Sequence, residues 1–342
     1  MSRTTQMNSL TSPELIAQVN PKNMDLMEGY LEYMKSLQRS PNTIAAYRAD
    51  LLIFWVYTLQ HLNNKEFKDL TKRDIVAFQN WATYDNGNSP ARVRRLKSVL
   101  SSLANYCERI LQDDDPDYQW YRPIIRKIEN PPLTAVREKT VWEDEELEAL
   151  LNKLVEIKHF DQACCLALAM YGGRRKSELI LFKVSDFNDN KLICNGALYK
   201  SDPIRTKGHG VNGKMLECYT LANRFKPYLT MWLDDRERKG ITSEWLFPRE
   251  ETGHIVKETL DSWARTFTRL SGKDFYWHSL RHYYVSDLVK EGLPDSVIVE
   301  ILGWSDPSML KVYNDTTADD MLANYFDENG ELSVQKKGLS EL

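Results

Sequence analysis

The stretch Trp277–Asp315, WHSLRHYYVSDLVKEGLPDSVIVEILGWSDPSMLKVYND, holds residue types that could act together on a phosphodiester. His278 and Arg281 stand three residues apart, Trp304 follows a Leu-Gly step, and Tyr313 lies nine residues further on. Were Tyr313 to attack a phosphodiester, a weak phenol nucleophile would meet a group that is already negative. Charge would then build on the non-bridging oxygens, so fixed cations and donors must surround the phosphate. Arginine suits this best, because its planar fork matches two oxygens and stays charged. A base is needed near the phenol and an acid near the leaving 5′ oxygen. The product would be a covalent phosphotyrosine. That bond stores the energy of the broken one, so such chemistry requires neither ATP nor a metal. Taken singly, each residue is ordinary: His-x-x-Arg pairs are common, and a lone tyrosine or tryptophan is usually packing. Their joint order and spacing carries the reading.

The elements that must position these groups can be read from the same stretch. His278 and Arg281 share one helix face. Val285, Leu288 and Val289 continue that helix, which opens near Ser279, and a helix N-terminus favours an anion. Pro294 starts a second helix that ends at Gly303, a residue suited to the left-handed stop. Ser305 or Asp306 followed by Pro307 restarts a short helix carrying Tyr313. The tyrosine is thus tethered by a joint and not fixed in a long element.

The chain has 342 residues, enough for two domains, with 42% hydrophobic and 27% charged residues as in a globular protein. No run approaches a membrane span, and the N-terminus lacks the layout of a secretion signal. The five cysteines (Cys107, Cys164, Cys165, Cys194, Cys218) make no metal-ligand spacing. Cys164 and Cys165 lie in an apolar run and read as small core residues. No metal or cofactor is expected, and the expected compartment is a reducing cytoplasm. The net charge of −4 counts mildly against tight non-specific DNA binding, but it is unevenly spread. Residues 291–342 hold eleven acids against three lysines, so the remaining 290 residues carry +4. A nucleic-acid face needs a local positive patch, not a basic whole.

In the first half, residues 1–22 read as a flexible N-terminus and residues 23–112 as an all-helical domain. One helix runs from Asn23 with Leu26, Tyr30, Met34 and Leu37 on one side. A second starts at Ser40-Pro41, serine as N-cap and proline as first helical residue, with Ile44, Tyr47, Leu51 and Phe54 at helical spacing. Thr71 to Asp74 resembles a capping box and opens a third through Ile75, Phe78 and Trp81. Ser89-Pro90 starts a fourth, with Val93, Leu96, Leu100, Leu103, Cys107 and Ile110 as its apolar set. Arg92, Arg94, Arg95 and Lys97 crowd its first turns, against the macrodipole. DNA phosphate is one reason for that placement and a solvated face is the other.

Residues 113–140 break periodicity with four prolines and an Asp cluster and read as a linker, with one short ordered piece around Ile124–Ile128. Two domains so joined could close around a duplex. Beyond the linker, Glu143–Leu154 is an amphipathic helix and Phe160–Tyr171 a strongly apolar, central one. LICNGALYK, PIRTK and MLECYTL, separated by turn residues, read as a small antiparallel sheet. Phe225–Lys239 and Thr259–Leu270 are further helices, with Trp245-Leu-Phe-Pro a short strand between them.

The Trp277–Asp315 stretch resembles the C-terminal half of the active site of tyrosine site-specific recombinases, the phage integrase family. YGGRRKSELILFKVSDF resembles that family's Thr-Gly-Leu-Arg-x-Ser-Glu-Leu box. Aligning Ser177-Glu178-Leu179 puts the catalytic arginine at Arg175 and leaves Arg174 where leucine is usual. SPNTIAAYRADLLIFWVY resembles the Ser-x-x-Thr…Tyr…Asp-Leu…Phe pattern of its core-binding domain. The resemblance runs from about residue 23 to 326. It implies a mainly α fold with a small antiparallel sheet in the C-terminal domain: an all-helical core-binding domain, then a catalytic domain over 141–326 with an acidic mobile tail at 327–342. Twenty-odd leading residues cannot hold the arm-binding domain of longer integrases, which favours the simple two-domain type, like Cre and the bacterial Xer recombinases.

By the same resemblance, Tyr313 attacks DNA to leave a 3′-phosphotyrosine and a free 5′ hydroxyl. Arg175 and Arg281 hold the non-bridging oxygens, and Glu178 holds site side chains in place. His278 is base or hydrogen-bond partner. Trp304 stands where many relatives have a second histidine; its indole can donate one hydrogen bond but cannot shuttle a proton. A hairpin lysine protonates the leaving oxygen; Lys207 matches best, with Lys200 and Lys214 as rivals. Arg205 joins Arg92, Arg94, Arg95 and Lys97 as the expected DNA contacts. The partners implied are double-stranded DNA with an inverted-repeat site and three further copies of the chain, docked through a terminal helix at Thr317–Phe326. Accessory proteins are left open. The rival readings are a type IB topoisomerase, a DNA-binding protein without catalysis, and a phosphodiesterase with an incidental tyrosine.

Overall fold

The structure, a computed structural model, describes residues 10–132, 140–206, 213–250 and 252–314. They form two compact units, one reaching to residue 132 and one beginning at residue 140.

The first unit is built of four main helices: α1 (Pro21–Ser36), α2 (Pro41–His61), α3 (Lys72–Asn80) and α4 (Pro90–Tyr106). Short polar side chains start each one. Asn20 Oδ1 accepts from Lys22 N–H at 3.0 Å, Ser40 Oγ from Thr43 N–H at 3.2 Å, and Ser89 Oγ from Arg92 N–H at 3.3 Å. Prolines follow all three as first helical residues. Thr71 and Asp74 close a reciprocal capping box. The helices bury Leu26, Tyr30, Met34, Leu51, Phe54, Trp55, Phe78, Leu96, Leu100 and Leu103 in one core. Leu37 and Ile110, placed on apolar faces by periodicity, are exposed, because each lies at or past the end of its helix.

Residues 113–132, read as linker, belong to this unit. Tyr118 and Ile125 are buried in its core, and the turn Ile125–Lys127 is the ordered piece expected there. The basic run on α4 helps fasten this segment. Lys97 is 7% exposed, and its ammonium donates to the carbonyls of Ile128 and Glu129 at 2.6 and 2.7 Å. Arg94 Nε donates to the Pro131 carbonyl at 2.7 Å. Arg92 and Arg95 both reach the buried carboxylate of Asp50 on α2, at 2.6 and 2.9 Å. These cations therefore have partners within the unit, which offset their poor placement against the helix dipole.

The second unit surrounds α6 (Phe160–Gly172), in which every residue from Ala163 to Gly172 is buried. Cys164 and Cys165 are part of this core, and burial pushes both thiols well above their usual range. Against α6 pack α5 (Asp144–Glu156), α8 (Ala222–Arg238) and α10 (Trp277–Lys290). Between α6 and α8 lie the short helix α7 (Lys176–Leu179) and the strands β1 (Leu192–Ile193), β2 (Leu198–Lys200), β3 (Ile204–Thr206), β4 (Lys214–Leu216) and β5 (Tyr219–Leu221). The expected single sheet is two antiparallel ladders, β1-β2-β5 and β3-β4. The segment MLECYTL divides at Glu217–Cys218, so its first half pairs with β3 and its second with β2. Ser201 ties the crossing: its N–H donates to the Cys218 carbonyl, and its Oγ accepts from Cys218 N–H, each at 2.9 Å. The hairpin β6 (Pro248–Arg249) and β7 (Gly253–His254) and the helix α9 (Lys257–Ser271) follow.

Three short elements end the described chain: α11 (Asp295–Ile301), a 3₁₀ turn at Pro307–Met309, and α12 (Leu310–Tyr313). Gly303 makes the stop after α11 with φ +62°, and Asp306 caps the restart by accepting from Ser308 N–H at 2.9 Å. The joint expected before Tyr313 is present. The leading residues 1–9, the terminal helix at 317–326 and the tail at 327–342 lie outside the described residues.

Candidate active site

Helix α10 opens at Trp277, two residues before the expected point, so His278 stands in its first turn. Arg281, one turn on, is fully buried. Its Nη1 donates to the Gly173 carbonyl at 2.8 Å, while Nε and Nη2 are buried with no hydrogen-bond partner among the described residues. The guanidinium carbon lies 5.2 Å from the ring centre of Trp304 and 5.4 Å from that of Tyr313. Burial and the nearby charges of Arg175 and Arg174 push its pKa down to about 10, so it remains a cation at neutral pH.

Tyr313 is 6% exposed and enclosed by rings. Trp304 lies 5.1 Å away, His278 5.2 Å and His282 4.8 Å, centre to centre. The indole N–H of Trp304 is buried and, like two donors of Arg281, unpartnered among the described residues. His278 keeps an edge open to solvent. Partial burial and the charges of His282, Arg281 and Arg175 still push its pKa down to about 4, which leaves the ring neutral at pH 7. His282 was not singled out by the sequence reading. Its position four residues after His278 was the available signal, since residues i and i+4 share a helix face.

The two adjacent arginines after α6 part company. Arg174 is 2% exposed and turned inward, donating from Nε to the Gly172 carbonyl at 2.7 Å and from Nη2 to the Ile301 carbonyl at 2.8 Å. Arg175 remains half-buried, with Nη1 on Glu178 Oε1 at 2.9 Å. Glu178, itself buried, also accepts from Arg175 N–H at 3.0 Å, so one carboxylate fixes both the backbone and the side chain of Arg175. A groove of about 470 Å³ runs past Arg175 and His278, with Lys176, Lys257 and Tyr276 on its walls. A larger pocket of about 620 Å³, beside Glu237 and Ser243, holds none of these residues.

Gly173, between α6 and the arginines, adopts φ +59°. A Cβ there would lie 2.3 Å from Tyr284 Cδ1. The same residue supplies the carbonyl that anchors Arg281. Gly173→Ala is therefore expected to lose about 2–4 kcal/mol of stability, from the left-handed backbone plus overpacking, as read by urea denaturation.

Of the hairpin lysines, Lys207 lies outside the described residues. Lys200 is ion-paired with Glu217 at 2.8 Å on the three-stranded ladder. Lys214 is exposed on β4 opposite Thr206, and Arg205 is exposed on β3 opposite Met215. The base of this hairpin meets the site: a Cβ on Gly303 would come within 2.7 Å of Leu216 Cδ1. The structure thus brings Arg175, Glu178, His278, Arg281, Trp304 and Tyr313 into one neighbourhood. Arg92, Arg94, Arg95 and Lys97 are in the other unit.

Residues 141–319 match the phage integrase family, and residues 26–114 match the phage integrase N-terminal SAM-like domain. The chain belongs to the phage integrase family. Among its relatives is the SPbeta prophage-derived recombinase-like protein YomM of Bacillus subtilis, 28% identical over 73% of this chain and 72% of that protein. A tyrosine recombinase of Thermosipho africanus is 25% identical over 84% of this chain and 94% of its own. The fold is that of XerH site-specific recombinase bound to palindromic difH substrate, at TM-score 0.64 and 19% identity, covering 82% of this chain and 78% of that one. A lambda integrase fragment bound to a COC′ core site gives 0.61 at 15% identity, covering 86% of this chain and 96% of that fragment. No described helix of this family member is long and apolar enough to cross a membrane.

Proposed function

We propose that this tyrosine recombinase cleaves and rejoins double-stranded DNA at a specific site through a 3′-phosphotyrosyl intermediate, with neither ATP nor metal. One observation carries the reading. A fully buried arginine keeps two N–H groups unpartnered among the described residues, within a ring's width of a buried tyrosine. Buried donors are almost always satisfied, and a guanidinium so placed calls for an anion. A DNA phosphate bound there would take Arg281 on one side and Arg175 on the other, with the Trp304 N–H as a further donor. Tyr313 Oη forms the new bond to phosphorus, and the bond to the 5′ oxygen breaks. Neutral His278 accepts the phenol proton or donates a hydrogen bond to the phosphate, and Lys207 supplies the proton that the 5′ oxygen takes. Glu178 keeps Arg175 aimed.

The proposed assembly is four copies on two inverted-repeat sites, joined through the terminal helix, in a cytoplasmic setting. Arg205 and the partly exposed Arg92 and Arg95 are the proposed phosphate contacts outside the site. Arg92 and Arg95 share a single carboxylate and retain donors for that purpose. Lys97 would have to give up two carbonyls to join them.

The test is covalent capture from nicked duplexes of randomised sequence, with adducts isolated in SDS and sequenced. Adducts enriched for an inverted repeat are the expected result. Adducts without sequence preference would favour a topoisomerase. Retention of DNA before SDS with no adduct would favour a binding protein.

A further inference from the structure

Arg174 is a buried cation with no carboxylate partner among the described residues. Burying an unpaired charge is costly, so its surroundings must offset it. They do so with backbone. Gly172 is the last residue of α6 and Ile301 the last of α11, and the carbonyls of both accept from the guanidinium, at 2.7 and 2.8 Å. Two helix C-termini, each carrying partial negative charge, therefore converge on one cation. A longer contact, 3.4 Å from Nη2, reaches the carbonyl of Tyr219 at the start of β5.

Each of these segments leads directly into the site. Gly172 is followed by Gly173, which anchors Arg281, and by Arg175. Ile301 is followed by Leu302, Gly303 and Trp304. Tyr219 lies three residues beyond Leu216, whose side chain abuts Gly303. We infer that Arg174 is a positioning residue that locks the ends of α6 and α11 and the start of β5 together, and so fixes Arg281, Arg175 and Trp304 around one phosphate. Its charge reaches further than its hydrogen bonds. Arg174 is one of the cations that depress the Arg281 pKa, and a charge felt at Arg281 is also felt by an anion bound there.

This inference rests on the recombinase reading, and its test separates the two. Arg174→Leu and Arg174→Lys are compared with the parent for the rate of Tyr313 adduct formation at saturating DNA, for DNA affinity, and for thermal stability. Rates are measured well below each melting temperature. A displacement of about 1 Å in such a site costs on the order of 100-fold. Arg174→Leu is expected to lose roughly that factor in rate, with affinity within about three-fold of the parent. Arg174→Lys keeps the charge but not the fork, and is expected to recover part of the loss. A folded Arg174→Leu protein that reacts at the parent rate, or that fails only through weaker DNA binding, overturns the inference. Should the leucine protein not fold, an Arg174→Lys protein at the parent rate overturns it equally.

A second readout needs no activity. In protein labelled with 5-fluorotryptophan, the Trp304 resonance is assigned by its loss in Trp304→Phe. Arg174→Leu, or Arg174→Lys if the leucine protein does not fold, is expected to shift or broaden it. If the parent forms no adduct with any DNA, the recombinase reading fails. An unmoved Trp304 resonance then overturns the role of Arg174, and a moved one upholds it as a clamp on that residue.

Discussion

Tyr313→Phe is expected to form no SDS-resistant adduct, a fall of at least about 1,000-fold, while binding DNA within a few-fold of the parent. The substitution removes one oxygen and leaves the ring. That ring is what packs against Trp304, His278 and His282, and it carries the contact beneath the Arg281 guanidinium. Stability should therefore barely change. The phosphate contacts proposed for Arg175 and Arg281 are intact in the variant, so affinity persists without the nucleophile. Adduct surviving the substitution would place the nucleophile elsewhere, and Tyr284 is a poor substitute. Tyr284 is fully buried, and burial raises the pKa of its phenol well above the ordinary value.

Arg281→Lys is the second large effect, because it separates charge from geometry. The parent guanidinium spends one arm on the Gly173 carbonyl and holds two further donors in a fixed fork. A lysine ammonium is a point charge without that fork. It can keep the Gly173 contact or turn toward a phosphate, but it cannot hold both in plane. Burial and two neighbouring arginines already push the parent's pKa down to about 10. The same surroundings would pull a lysine toward its neutral form. The expected loss is on the order of 100- to 1,000-fold in adduct formation, the scale of removing one preorganised donor. DNA affinity should fall much less. The measurement is a single-turnover time course on a nicked duplex at saturating protein. A loss of under five-fold would mean that charge alone suffices at this position.

Much of this site was legible because its parts are local. His278 and Arg281 share a helix turn, the Gly303 stop and the Asp306 cap have residue signatures, and Ser40 and Ser89 announce their helices. The rest depends on partners far apart in sequence. The basic run of α4 could be a nucleic-acid face or a solvated one on sequence alone; its partners within the unit, Asp50 more than forty residues upstream and the carbonyls of residues 128–131, are visible only in the fold. Backbone carbonyls have no sequence signature at all, which is why Arg174 and Arg175 look alike in the chain and differ in the fold. Arg174 ends on three carbonyls and Arg175 on Glu178, three residues away. MLECYTL reads as one strand, yet it serves two ladders, since the Ser201–Cys218 crossing is a long-range pairing. His282 was overlooked because histidine beside arginine has no fixed meaning until the ring it faces is known.

The contact between Leu216 and Gly303 has a mechanical consequence. The strand at the base of the hairpin and the turn ahead of Trp304 meet with no space for even one methyl group. Such a contact passes a push from one segment to the other. The turn that carries Trp304 toward Tyr313 cannot advance on the hairpin unless β4 or the Leu216 side chain yields. The two flanks of the site thus bear on each other through one leucine side chain.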